Sequence, residues 1–210
     1  MKVPYRYPGS TNTQLVDIYT RLAFDRIIFL DDAINDGLAN FIVSMMLYLD
    51  SDDPTKPIYL YINSPGDDVM PGMMASMAAG LSIYDTMQHI KAPIHTICLG
   101  QSAGSSTLLL AAGTKGFRLS LPHSTIVLNP FYVGGRGQAT DIQIMAKKVL
   151  ADRDTIFGIL SDLTGQSTEK LAKDSERRLY LDPHEAQAYG LVDRVLERSP
   201  LPNALAAAAT

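Results

Sequence analysis

The strongest constraint on this chain's fold is an alternation of strand-like apolar runs with helix-period segments. Residues 26–30 (RIIFL), 58–63 (IYLYIN) and 93–100 (PIHTICLG) are short apolar runs, and Ser64, Pro65 and Gly66 stop the second one. Between the first two, Ile34, Leu38, Phe41, Ile42, Met45, Met46 and Leu49 recur close to a 3.6-residue period. Residues 14–24 predict a short amphipathic helix after a polar, turn-rich start. Residues 78–90 and 101–113 predict two further helices, the second closed by Gly113 as its C-cap. Residues 117–121 and 124–128 predict strands, and 139–163 a long helix with acid–base pairs on its polar face. A short helix over 167–176 and a helix–strand pair over 183–196 complete the pattern. Strands alternating with helices predict an α/β domain with a parallel sheet core.

A chain of 210 residues suits one domain with a real core. Its net charge of −4 and lack of a basic run argue against nucleic acid or an anionic membrane as partner. No stretch approaches transmembrane length, and the start has no apolar core of the signal-peptide kind. A cytoplasmic location is expected, or the plastid stroma for a mature plastid form. Cys98, the single cysteine, lies in an apolar run and predicts a buried thiol. The four histidines make no H-x-x-x-H pair, so no metal and no cofactor is expected.

Residues 100–107, GQSAGSST, fit the G-x-S-x-G nucleophile elbow, in a strand–turn–helix context that suits it. An elbow hydrolase also needs an acid and then a histidine downstream. Only His184 lies far enough along, in a turn where Asp182 predicts a helix cap and Pro183 a first helical residue. The motif alone does not make an enzyme.

The segments RIIFL, IYLYINSPG, IYDTMQHI, TICLGQ, LLLAAGTKG, GQATDI and EAQAYGLVDRV occur in an order and spacing that resembles the Clp protease proteolytic subunit, ClpP. The resemblance spans about residues 15–197. It implies the ClpP/crotonase-like α/β fold, with a protruding helix–strand handle at about 133–163. It implies an N-terminal axial segment over 1–14, and residues 198–210 read as a disordered tail. It also implies seven-membered rings stacked into a double-ring core, polypeptide substrates, and an ATP-dependent Clp-type unfoldase as partner.

Carried over residue by residue, the family's nucleophile position falls on Gly104, its histidine on Asn129 and its aspartate on Arg178. Glycine offers no nucleophile, and asparagine has no nitrogen that takes a proton as a general base. Arginine puts a permanent positive charge where an imidazolium needs a carboxylate. His123 falls at a packing position. In the oxyanion turn, Asp67 replaces a glycine. Its carboxylate repels a developing oxyanion by about 3 kcal/mol at roughly 5 Å and an effective dielectric near 20. Asp67 and Asp68 are also expected to cap the helix that follows.

Residues 70–78 (MPGMMASMA) stand where the family typically has one residue. Met70, Met73, Met74 and Met77 offer the soft thioethers that Cu(I) takes, but no Cys or His is near in sequence. Flexible apolar packing that reshapes the substrate groove is the expected role. A lost triad, an insert and an otherwise intact body together resemble ClpR, the inactive ClpP paralogues that form mixed rings with active ClpP subunits. The resemblance places the unfoldase-docking pocket at Tyr59, Tyr61, Leu119, Leu121 and Leu196. Gly134, Gly135 and Gly137 would let the handle's backbone pair closely or bend.

The resulting expectation is a non-catalytic subunit. Two readings compete: a hydrolase using Ser102 or Ser105 with His95 or His123, and a crotonase-like acyl-CoA enzyme. Against the second, the chain shows no acid–base residue near Gly104 and no basic cluster for CoA phosphates.

Overall fold

A computed structural model describes residues 1–6, 9, 11–67, 77–130 and 138–197. In chain order the elements are β1 (Lys2–Arg6), β2 (Thr13–Asp17), α1 (Ile18–Phe24), β3 (Ile27–Leu30), α2 (Asp36–Asp52), β4 (Ile58–Ser64), α3 (Met77–His89) and β5 (Ile94–Ala103). They continue as α4 (Ser105–Ala111), β6 (Arg118–Ser120), β7 (Thr125–Leu128), α5 (Ala139–Thr164), α6 (Thr168–Asp174), β8 (Leu179–Leu181), α7 (Pro183–Tyr189) and β9 (Arg194–Val195). The order β3-β4-β5-β6-β9 makes a parallel sheet, which is the expected α/β class.

The sheet separates its two faces by strict alternation. Ile58, Leu60, Ile62 and Ser64 of β4 are buried beneath the helices, while Tyr59 and Tyr61 are half-buried on the other side. Helix α4 is buried all round, with Leu108, Leu109 and Leu110 in the core and the Ser106 and Thr107 hydroxyls donating to backbone carbonyls. Helices α2, α3 and α5 contribute Ile42, Met46, Ile83, Phe157 and Leu160 to the same core. Each such side chain contributes about 1.5–3 kcal/mol by leaving water.

Several element boundaries depart from the sequence reading. Residues 14–17 are strand, not helix, because β2 pairs antiparallel with β1 from Lys2 opposite Asp17 to Arg6 opposite Thr13. Asp17 stays extended at φ −64°, ψ 148°, and its carboxylate accepts the Tyr19 N–H at 2.9 Å, so α1 begins only at Ile18. Strand β5 likewise runs on through Gln101–Ala103, the first residues expected in the next helix. Gly113 is not a left-handed cap; a Cβ there would come within 2.4 Å of Thr96 Oγ1, so glycine allows the α4 exit to cross β5 closely. The expected disorder of 198–210 lies outside the described residues. So do Gly134, Gly135 and Gly137, Met70, Met73 and Met74, and Asp68.

Candidate active-site cleft

Strand β5 is longer than its neighbours and splits its pairing. Residues 96–98 pair with β6, whereas Gln101, Ser102 and Ala103 pair with Thr125, Ile126 and Val127 of β7. The carboxyl ends of β4, β5 and β7 therefore open on one point, where α/β sheets place ligands. Asp67 follows β4, Gly104 follows β5 and Asn129 follows β7. Strand β8 runs antiparallel to β7 with Leu128 opposite Leu179, which brings Arg178 beside Asn129. One cleft of about 290 Å³ is lined by Asp67, Gly104, Ser105, Asn129 and Arg178 together with Leu128, Phe157 and Leu160. All four positions singled out by the resemblance, Asp67, Gly104, Asn129 and Arg178, meet there.

Gly104 lies at φ 55°, ψ −128°, the strained strand-to-helix geometry of a nucleophile elbow. A Cβ at Gly104 would stand 3.5 Å from Asn129 Nδ2 and 2.8 Å from Asp67 Oδ2. Position 104 thus faces position 129, as a nucleophile faces its base, but neither side chain carries that chemistry. The Asp67 carboxylate accepts the Ser105 N–H at 3.0 Å. The helix start that Asp67 and Asp68 were expected to cap lies outside the described residues.

The serines of the turn differ in their surroundings. Ser106 is fully buried, and its Oγ accepts the Ala103 N–H at 2.7 Å and lies 2.8 Å from the Ala103 carbonyl oxygen. Ser102 is also fully buried, with its Oγ 3.3 Å from that of Ser106. Ser105 lines the cleft but packs toward α3, where a Cβ on Gly80 would meet its Oγ at 2.7 Å. No histidine among the described residues lines the cleft. His95 is seven residues before Ser102 on β5, roughly 23 Å at about 3.3 Å per residue. It stacks on Phe117 at 4.0 Å and meets Tyr59 edge-on, and burial holds its pKa below the ordinary value. His123, expected at a packing position, is instead exposed in the turn before β7. His184 is exposed in the first turn of α7, behind the reciprocal Asp182–Glu185 capping box and with Pro183 as the first helical residue.

The positions matched to the docking pocket share the sheet face opposite the helices. Phe29, Tyr61, Ile97, Leu119 and Arg194 form one row across β3, β4, β5, β6 and β9, and Tyr59 is beside His95 one row over. Leu121 and Leu196 lie two residues beyond Leu119 and Arg194, on the same side by alternation. All five matched residues are half-buried. Cys98 is fully buried, and burial pushes its thiol up to about 11. Among the described residues no three His, Cys, Asp or Glu side chains gather as a metal site.

Sequence reasoning singled out Asp67, Gly104, Asn129 and Arg178 of the cleft and missed both its apolar wall and the Asp67–Ser105 contact. The apolar wall comes from α5, where Ile156, Phe157 and Leu160 carry an i, i+1, i+4 pattern visible in the sequence. The Asp67 contact has no local signal, since 38 residues separate its partners.

The Clp protease family model matches residues 10–199. The chain is 51% identical over 195 residues to the ATP-dependent Clp protease proteolytic subunit 3 of Synechococcus sp. (strain CC9902), covering 92% of this chain and 94% of the relative. It is 48% identical over 200 residues to proteolytic subunit 1 of Gloeobacter violaceus, covering 95% and 97% of the two chains. Proteolytic subunit 2 of Prochlorococcus marinus subsp. pastoris is 51% identical over 195 residues, covering 92% and 93%. With the family match running through the sheet, the cleft and the long helix, the chain belongs to the Clp protease family.

Proposed function

We propose that this chain is a non-catalytic structural and regulatory subunit of a heteromeric Clp protease core, sharing mixed rings with active subunits. The observation that carries the reading is the cleft. It keeps the elbow backbone at Gly104, yet presents Asn129 and Arg178 where a base and its orienting acid would stand, and a carboxylate on the Ser105 N–H. Losing nucleophile and base together removes covalent chemistry outright. The body around the cleft is that of relatives named as subunits of an ATP-dependent protease, which supports ring assembly and work beside an unfoldase. A reducing cytosol or stroma suits the unpaired buried thiol.

The test is co-expression with an active proteolytic subunit from the same cell, purification through a tag on this chain, and mass measurement of the intact complex. One heteromeric ring complex is expected, with a fluorophosphonate probe labelling the partner alone. Stoichiometric labelling of Ser102, Ser105 or Ser106, or a stable monomer that never joins a ring, overturns the reading.

The apolar sheet face supports docking of a Clp-type unfoldase. Tyr61→Asp combined with Leu196→Asp should weaken unfoldase binding about 30-fold, the size of a 2 kcal/mol hot-spot loss, with ring assembly intact. Titrating the unfoldase onto mixed rings checks this, and unchanged affinity removes these residues from the docking surface.

A further inference from the structure

In the elbow architecture one oxyanion donor is the N–H of the residue after the nucleophile, which here is Ser105. That N–H already has an anionic oxygen on it, Asp67 Oδ2 at 3.0 Å. The same oxygen is 2.8 Å from where any Cβ at position 104 would begin, so the carboxylate fills both the oxyanion position and the approach to the nucleophile. Its other oxygen, Oδ1, is buried and has no hydrogen-bond partner among the described residues. A carboxylate seeking only solvation would not leave one oxygen dry, because that costs stability unless another interaction holds the group in place. The holding interaction is geometric: Gly66 presses its backbone on Ala103, with room for no Cβ, and this fixes Asp67 over the elbow.

We infer that Asp67 is a built-in oxyanion surrogate that closes the cleft to acylating and phosphonylating ligands, independently of the lost triad. The inference rests on the reading of this cleft as a silenced protease site, and it deepens that reading. Silencing is then twofold: the reacting groups are gone, and the space for a tetrahedral centre is already occupied. Blocking one oxyanion donor costs about 10²–10³-fold in rate. A rebuilt triad therefore reacts about 10²–10³-fold more slowly until Asp67 is removed.

The experiment compares two otherwise identical full-length variants in co-expressed rings. One carries Gly104→Ser, Asn129→His and Arg178→Asp; the other adds Asp67→Gly. A fluorophosphonate probe reads the labelling rate of this chain by mass. The four-position variant is expected to label about 100-fold faster or more. Equal labelling of the two, whether fast, slow or absent, overturns the inference. A fold-level readout accompanies it: the drop in Tm caused by Gly104→Ala should shrink when Asp67→Gly is already present, since the left-handed φ strain is common to both backgrounds and the carboxylate conflict is not. An unchanged drop also overturns it. Labelling of an original serine in the unmodified chain would instead sink the proposed function, so the two failures are distinguishable.

Discussion

Arg118→Ala is expected to destabilise the domain by about 3–5 kcal/mol, the range for breaking a buried ion pair by removing one partner. Arg118 begins strand β6 and is 5% exposed. Its Nη2 donates to Asp193 Oδ1 at 2.6 Å, and its Nε donates to Oδ2 at 3.0 Å, a bidentate fork. Nη1 points the other way and donates to the carbonyls of Ala111, Leu163 and Gly190 at 3.3, 3.1 and 2.9 Å. Those carbonyls lie at the C-terminal ends of α4, α5 and α7, where helices leave acceptors without intrahelical partners. One guanidinium thus satisfies three helix ends and a carboxylate. Truncation leaves all four short of donors in a largely dry site. Arg118→Lys restores only part of the loss, because an ammonium cannot span the fork and the three carbonyls together. Urea unfolding checks this, with the midpoint falling and the slope unchanged if only stability is altered.

The same pair sets an acid dependence. Burial pushes the Asp193 carboxyl up, but the Arg118 hydrogen bonds and charge and the backbone N–H groups of Arg118 and Gly116 outweigh it and hold it below the ordinary range. A depressed folded-state pKa stabilises above the unfolded value near 4, and that stabilisation is lost as pH falls through the folded-state value. The gap in stability between the parent chain and Asp193→Asn should therefore be widest above about pH 4 and narrow below it.

What could be read in the sequence divides along the range of the interactions involved. Helix α5 runs from Ala139 to Thr164, and its extent was plain from the acid–base pairs on its polar face, while Gly165, at φ 77°, closes it. The Asp182–Pro183 start of α7 was equally plain, because caps are made by neighbours. Strand β8 left no usable signal. Three residues, Leu179–Leu181, become a strand only because β7 lies beside them, and that antiparallel pairing is what carries Arg178 to Asn129. The resemblance located Arg178, whereas local propensity had nothing to offer. The extension of β5 through Ala103 has the same cause, since Gln101–Ala103 read as helix locally until β7 supplies a parallel partner. The bond from the Ser105 N–H to Asp67 is invisible locally for a related reason, since its donor opens a helix 38 residues away.

Gly66→Ala should be nearly as damaging as the loss of Arg118, at about 2–6 kcal/mol, and it should act directly on the cleft. Gly66 adopts φ 95°, a left-handed conformation that costs a side-chain-bearing residue about 1–3 kcal/mol. A Cβ there would also fall 2.3 Å from the Ala103 carbonyl oxygen and 2.9 Å from its carbon, inside any permitted contact. Both are backbone atoms of the strand end that shapes the elbow, so relief requires the turn after β4 to lift off β5. Overpacking of this kind adds about 1–3 kcal/mol. Lifting the turn would strain two hydrogen bonds that anchor it, Ile34 N–H to the Gly66 carbonyl at 2.7 Å and Gly66 N–H to Ser64 Oγ at 3.1 Å. Gly116 provides the matched control: its φ is 90°, but nothing lies within 4 Å of a Cβ at that position. Gly116→Ala should therefore show the backbone strain alone, and thermal or urea unfolding of the two variants side by side measures the difference. Equal losses would mean that the Gly66–Ala103 approach is not tight, and the clamp holding Asp67 over Ser105 would lose its physical basis.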